Sequence, residues 1–364
     1  MSIIAWLHLA DLRFVAGPSQ PYKTRVALEK LLKDVEKCTR THELALDFIA
    51  LTGDLAAGGQ PGEYEAARGF LDRLLAAARL EKDRLFVVPG NSDAAPLLVS
   101  PGARLSAASI KDQSSVNSVF DLPRDRELYF GRFAHYAAFI SDYLEGQLTA
   151  SPDQFSYVRA LNRGGRRVAV LGLNSAWLAM PDENEDSYVV VGERQVREAL
   201  GQAEQADIKI ALVHHPLDRL QPFEKESIEA MLGRDCDVIL HGEQNCLEFL
   251  GDRTSPALVL GLGASGRSAG YLDSYKLVKI DLAAGEGHVY LRRYSTRRGG
   301  FWTADADSHE DSEDGDYRFS FGIKKPTALP VTLQEVDEIR DGQYRIVELI
   351  REGGMARIWL AEQP

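Results

Sequence analysis

Leu7-His8-Leu9-Ala10-Asp11-Leu12-Arg13 closes the first apolar run of the chain. The stretch Ile3 to Ala10 has the length and composition of a buried strand that delivers polar residues at its carboxyl end. The same device recurs twice. Ala45 to Leu51 leads into Thr52-Gly53-Asp54, and Leu85 to Val88 leads into Pro89-Gly90-Asn91-Ser92-Asp93. Between these runs, Val26, Leu28, Leu31, Leu32 and Val35 fall at the spacing of an amphipathic helix, and Gly62 to Leu80 is rich in Ala, Leu, Glu and Arg. Three successive strands tipped with Asp or Asn at one end of a sheet mark the place where an open α/β fold puts its chemistry.

The second half repeats the pattern. Arg167 to Leu173 ends at Asn174-Ser175, and a helix is expected over Glu193 to Ala203. Ile208 to Val213 ends at His214-His215-Pro216, and Asp237 to Leu240 ends at His241-Gly242-Glu243-Gln244-Asn245. Leu258 to Leu262, Lys276 to Asp281 and His288 to Arg293 read as further strands of a second sheet packed on the first, with helices outside. Residues 95–165 interrupt the alternation. The Ser-rich stretch from Ser106 to Ser118 reads as loop and Phe130 to Leu144 as helix, which suits an insertion or cap beside the site. Thr303 to Asp316, crowded with Asp, Glu and Ser, reads as a solvated loop without the ligand order of an EF-hand.

Composition narrows the classes. The 364 residues are 45% hydrophobic and 26% charged, the make-up of a soluble globular protein with ample material for a core. A net charge of -12 makes a broad nucleic-acid surface a weak expectation. Cys38, Cys236 and Cys246 have neither the number nor the spacing of a disulfide framework or zinc knuckle, which suits a reducing compartment. With no leader and no apolar run of about 20 residues, the expected location is the cytoplasm, without a membrane partner.

Asp11-x-Arg13, Gly53-Asp54, Gly90-Asn91-Ser92-Asp93, His214-His215-Pro216 and His241-Gly242-Glu243-Gln244-Asn245 together resemble the calcineurin-like metallophosphoesterase family over roughly residues 3–293, closest to bacterial members with a long insertion. The resemblance implies a four-layer α/β/β/α sandwich and a site for two divalent metals. It places Asp11 at a ligand position of the first metal, Asp54 at the bridging carboxylate, and Asn91 and His214 at the second metal. In such a site a bridging carboxylate holds two cations about 3.5–4 Å apart, clamping a phosphate and activating a water. Taken singly, Asp11, Asp54 and Asn91 are also residues that cap helices or tie turns.

The departures from the family pattern carry as much weight. Arg13 stands where a histidine ligand is usual, and guanidinium offers no lone pair. Ser92 stands where a histidine serves the leaving group, a loss that typically costs about 10²- to 10⁴-fold in rate. Glu243 and Asn245 replace two more histidine ligands. If a metal binds, one divalent ion (Mn, Zn, Fe or Mg) is expected in the second position, held by Asp54, Asn91, His214 and Glu243, with Asp11 and Asn245 as further candidates. Arg13 is expected to pair with Asp11 and Asp54 in place of the missing metal charge. Three functions follow: a catalytically impaired domain that binds a phosphorylated ligand or a protein partner, an active one-metal phosphoesterase, or a regulatory or scaffolding domain of a larger signalling protein.

Tyr344 to Ala361, two expected strands around Glu352-Gly353-Gly354-Met355, resembles the opening glycine-rich hairpin of bacterial serine/threonine protein kinases, and only Gly353 matches its glycine pattern. The chain stops at Pro364, before any kinase catalytic residue. The expected organisation is a phosphoesterase domain over residues 1–300 and an acidic loop with connector over 301–343. The kinase-like hairpin, 344–364, makes the chain a candidate piece of a larger signalling protein.

Overall fold

The apolar runs of the sequence become the strands of two mixed sheets stacked face to face in the computed structural model of the chain. It describes residues 3–17, 20–98, 107, 109–148, 151, 156–179, 188–251, 256–263 and 272–323, and the backbone of three strands beyond residue 337. In chain order β1 (Ile3–Leu9), α1 (Tyr22–Thr41), β2 (Phe48–Thr52), α2 (Pro61–Ala78) and β3 (Leu85–Val88) form parallel βαβ units. Leu7 is in register with Ile49, and Leu51 with Val87.

The insertion contributes α3 (Gln113–Asp121), α4 (Pro123–Phe130) and α5 (Ala134–Tyr143). The second sheet then assembles from β4 (Tyr157–Arg163), β5 (Arg166–Gly172), α6 (Glu193–Gln202), β6 (Ile208–Leu212), α7 (Pro222–Asp235), β7 (Val238–His241), β8 (Cys246–Leu250) and β9 (Ala257–Gly261), with strand order β4-β5-β6-β7-β9-β8. β10 (Ser274–Asp281), β11 (Glu286–Ser295), β12 (Phe301–Ala304) and β13 (Asp316–Ser320) return to the first sheet. Its order is β12-β11-β10-β1-β2-β3, with β13 pairing to β11 beside β12.

Strands buried on both faces explain why these segments are continuous apolar runs and not alternating ones. Trp6, Phe48, Phe86 and Val278 of the first sheet meet Val170, Ile210, Leu240 and Leu260 of the second in the central layer. Trp6 stacks on Phe48 with ring centroids 5.5 Å apart. One outer layer packs Leu31, Val35, Leu71 and Leu74 of α1 and α2 onto Leu7, Ile49 and Val87. The other packs Val196, Ile228 and Leu232 of α6 and α7 onto Leu171, Ala211 and Ile239. The result is the expected α/β/β/α sandwich, with the insertion helices buried onto the first outer layer through Phe120, Tyr136 and Phe139.

Three local expectations are corrected. The Ser-rich stretch read as loop folds in its second part as α3, because the Asp112 carboxylate accepts the Ser115 N–H at 2.8 Å as an N-cap and Val116, Val119 and Phe120 are buried. Pro123 then opens α4 from its first turn. Residues 157–163, inside the range assigned to the insertion, are strand β4, an edge hairpin partner of β5. The acidic stretch Thr303 to Asp316 is loop over residues 305–315, as expected, but its ends belong to β12 and β13, which are anchored by buried Trp302, whose indole N–H donates to the Ala27 carbonyl at 3.0 Å, and by Phe319.

Because β12 and β13 belong to the first sheet, its compact unit runs from Met1 to Lys325. A second unit, Pro326–Pro364, contains β14 (Glu338–Ile339), β15 (Tyr344–Glu352) and β16 (Arg357–Glu362) in an antiparallel sheet of that order. Glu338–Ile339 lies in the stretch read as connector, most of which falls outside the described residues, as do Gly353, Gly354 and Met355. No helix among the described residues is long and apolar enough to cross a membrane.

Candidate functional site

Asp11, Asp54 and Asn91 follow the carboxyl ends of β1, β2 and β3, and His214 and Glu243 follow β6 and β7 of the facing sheet, so the two sheets bring them to one end of the sandwich. The loops that hold them are bent tightly. Asp11, Arg13, Asp54 and Glu243 have φ of +55°, +44°, +55° and +60°, a left-handed backbone that costs on the order of 1–3 kcal/mol at each non-glycine residue. The Arg13 N–H donates to the Asp54 carbonyl at 2.9 Å, which locks the first two loops together. Close packing there requires glycine: a Cβ on Gly90 would lie 2.1 Å from Asp54 Oδ1, and one on Gly53 would lie 2.2 Å from His214 Nδ1.

Asp54, fully buried, is the centre of the arrangement. Its Oδ2 accepts from Arg13 Nη2 at 2.7 Å and from the Ser92 hydroxyl at 2.7 Å, while Oδ1 accepts the Ser92 N–H at 2.9 Å. Arg13 Nε is 4.0 Å from Asp11 Oδ1, so the guanidinium pairs closely with Asp54 and only loosely with Asp11. Asp11 Oδ2 accepts the Glu243 N–H at 3.3 Å, tying the first sheet to the second. Burial, reinforced by the neighbouring Asp54 charge, pushes Asp11 up to about 7.

His214 is fully buried with both ring nitrogens facing oxygen. Nδ1 lies 2.7 Å from the Thr52 carbonyl, and Nε2 lies 3.0 Å from Asn91 Oδ1, 3.5 Å from Asp54 Oδ1 and 3.6 Å from Glu243 Oε1. Burial opposes charging the ring, but Asp54, Glu243 and Asp11 outweigh it and push His214 up to about 10. Glu243 is held well below the usual carboxylate range: burial pulls it upward, and His214, His215 and Arg219 override that pull. Arg219 Nη1 is 2.7 Å from Glu243 Oε2.

Asn245, a candidate ligand in the sequence, is turned away from this group. Its Oδ1 accepts from the buried ammonium of Lys276 at 2.7 Å, and Lys276 also donates to the carbonyls of Cys246 and Gly261. His215 shares a 2.8 Å hydrogen bond with Ser175 Oγ, and burial pushes it down to about 4. Asn174 and Trp177 serve the core: Asn174 Oδ1 accepts the Ala176 N–H, and the Trp177 indole N–H donates to the Val191 carbonyl. Asp93 gathers the N–H groups of Leu55, Ala56 and Gly90 and so fixes the β2 and β3 loops.

Arg219 and Lys276 are the site residues that sequence reasoning missed. Lys276 had a visible signal: a lysine in the apolar run Tyr275-Lys276-Leu277-Val278 must be paired when buried. Arg219 had none, because nothing local ties it to Glu243.

The donor set does not fit the family's pair of metals. Where the resemblance expects a first metal, Arg13 sits on the Asp54 carboxylate, and Asn245 is spent on Lys276. Ligand atoms of Asp11, Asp54 and His214 do lie within 4.8 Å of one another, as do those of His214, His215 and Glu243, so a single divalent ion has enough donors in principle.

Residues 6–245 match the profile of the Calcineurin-like phosphoesterase family, and the chain belongs to that family. No curated protein matches the chain. Among solved structures it is similar in fold to GAP50, the anchor in the inner membrane complex of Plasmodium, at 12% identity and a TM-score of 0.44, covering 90% of this chain and 91% of that one. A putative 5'-nucleotidase of Staphylococcus aureus is similar at 12% identity and a TM-score of 0.42, over 88% of this chain and 54% of that one. The sulfate thiohydrolase SoxB of Thermus thermophilus is similar at 13% identity and a TM-score of 0.38, over 76% of this chain and 53% of that one. The chain thus spans about half the length of the latter two proteins.

Proposed function

We propose that this is a phosphoesterase-fold domain without phosphoester turnover, retained as a regulatory or scaffolding module for a protein partner. The observation that carries the reading is the 2.7 Å contact of Arg13 with Asp54, in which a fixed cation takes the carboxylate that two metals would share. Ser92 supports it, since its hydroxyl donates to the same carboxylate and is too weak an acid to protonate a leaving group near neutral pH. Binding of a phosphorylated ligand is the weaker form of the reading, because Arg13 and Arg219 each already face a carboxylate. The sequence resemblance of Tyr344 to Ala361 to a kinase hairpin is the ground for a place in a larger signalling protein, and three cysteines without a disulfide framework are the ground for a cytoplasmic one.

A second reading, a one-metal phosphoesterase using Asp54, Asn91, His214 and Glu243, is favoured by the convergence of three oxygen ligands on His214 Nε2. Metal analysis after loading with manganese, zinc or iron, run beside hydrolysis of aryl phosphate mono- and diesters, separates the two. The scaffold reading expects no ion retained at the Asp11–Asp54–His214 centre and no hydrolysis beyond that of Asp54→Asn. One retained ion that Asp54→Asn removes, together with turnover, would establish the second reading instead.

A further inference from the structure

On the far side of the β7–β8 loop, His241 and Cys246 meet in a cavity of about 240 Å³ that the phosphoesterase site does not use. His241 Nε2 lies 3.2 Å from Cys246 Sγ. Its other nitrogen, Nδ1, lies 2.8 Å from the Gly242 carbonyl, an acceptor only, so Nδ1 carries the proton and the Nε2 lone pair faces the sulfur. A histidine whose second nitrogen donates to a backbone carbonyl is oriented in the manner of a metal ligand.

The cavity walls supply the rest. Asp218, Glu229 and Glu248 line it with His241 and Cys246, and Glu248 Oε1 is already 4.0 Å from the sulfur. Asp218 and Glu248 are exposed, so their side chains are free to rotate inward. The Lys276 ammonium donates to the Cys246 carbonyl, and Glu229 pairs with Lys225 at 3.9 Å, so Asp218 and Glu248 are the carboxylates offered to an ion. Zinc bonds of about 2.3 Å to sulfur and 2.0–2.1 Å to nitrogen separate two tetrahedral donors by about 3.6 Å, so a shift of a few tenths of an ångström admits the ion.

We propose that His241 and Cys246, with carboxylates from Asp218 and Glu248, form a binding site for a thiophilic divalent cation of the zinc class. Binding converts the Cys246 thiol to a metal-bound thiolate, and the thiol proton leaves to solvent. The site does not depend on the phosphoesterase reading, since Asp11, Asp54, His214, His215 and Glu243 carry no sulfur.

Cadmium titration of the full chain followed by ultraviolet absorbance tests it, because a thiolate-to-cadmium charge-transfer band reports sulfur ligation alone. The wild-type protein and Asp54→Asn should both develop the band, and Cys246→Ser should lose it. Zinc at about ten times its dissociation constant should slow alkylation of Cys246 by about tenfold, and His241→Gln should abolish that protection. Cys38 and Cys236 are buried and serve as internal controls in the mass spectrum. Absence of the band, its survival in Cys246→Ser, or unchanged alkylation in the presence of zinc would each overturn the proposal.

Discussion

Arg13→Met removes the cation from the centre of the site and keeps most of its volume. In the native protein Arg13 Nη2 lies 2.7 Å from a fully buried Asp54, while the Arg13 side chain is 32% exposed. Removing one partner of a fully buried ion pair costs about 3–5 kcal/mol, and the partial exposure of Arg13 reduces the expectation to about 2–3 kcal/mol. For a chain of this size that corresponds to a fall in Tm of about 3–4 °C. Asp54→Asn in the Arg13→Met background removes the stranded charge and should restore most of the loss, giving a coupling of about 2 kcal/mol in a double-mutant cycle. Thermal scans with EDTA and with manganese complete the test. The wild-type protein should be indifferent to EDTA, whereas Arg13→Met, with Asp11 and Asp54 no longer neutralised, should be restabilised by manganese. Ligand at about 100 times its dissociation constant contributes about 2.7 kcal/mol. A variant as stable as wild type, or a wild-type Tm that falls in EDTA, would refute the view of Arg13 as the cation of this site.

Glu224, buried and accepting the N–H groups of Val191 and Gly192 at 2.7 and 2.9 Å, is pushed by burial from 4.5 up to about 7. The folded state therefore binds the extra proton between these values, so Glu224's contribution to stability falls as pH rises through that window. Glu224→Gln should remove up to about 3 kcal/mol of this pH dependence in urea unfolding at pH values near 5 and 7.5. Gly90→Ala should destabilise the fold by about 1–3 kcal/mol or more, because its Cβ would meet Asp54 Oδ1 at 2.1 Å; a chemical denaturation midpoint equal to wild type would contradict the packing described. Ser92→Ala should cost about 1.5–3 kcal/mol through its bond to the Asp54 carboxylate and leave the response to manganese unchanged, both readable by thermal scanning.

The central strands were legible because burial on both faces writes itself locally, as uninterrupted apolar runs such as Ile3 to Ala10 and Ile208 to Val213. Edge strands were not. β4, β12 and β13 carry fewer apolar residues and pair on one side only, and the anchor of β12 is remote in sequence, since Trp302 is held by the Ala27 carbonyl. The site divides along the same line. Loss of metal ligands is a change of residue type at a fixed place in a motif, so Arg13, Ser92, Glu243 and Asn245 could be read as departures. Compensating charges outside the motif cannot be read that way, because Coulomb's law asks only that some cation lie near each buried carboxylate and does not specify where in the chain it originates. Arg219 reaches Glu243 from the β6–α7 connection, and Lys276 draws Asn245 away from Asp11 and Asp54 by donating from β10 of the opposite sheet. A ligand inventory drawn from the motif alone therefore counts Asn245 as a donor that the fold has already spent.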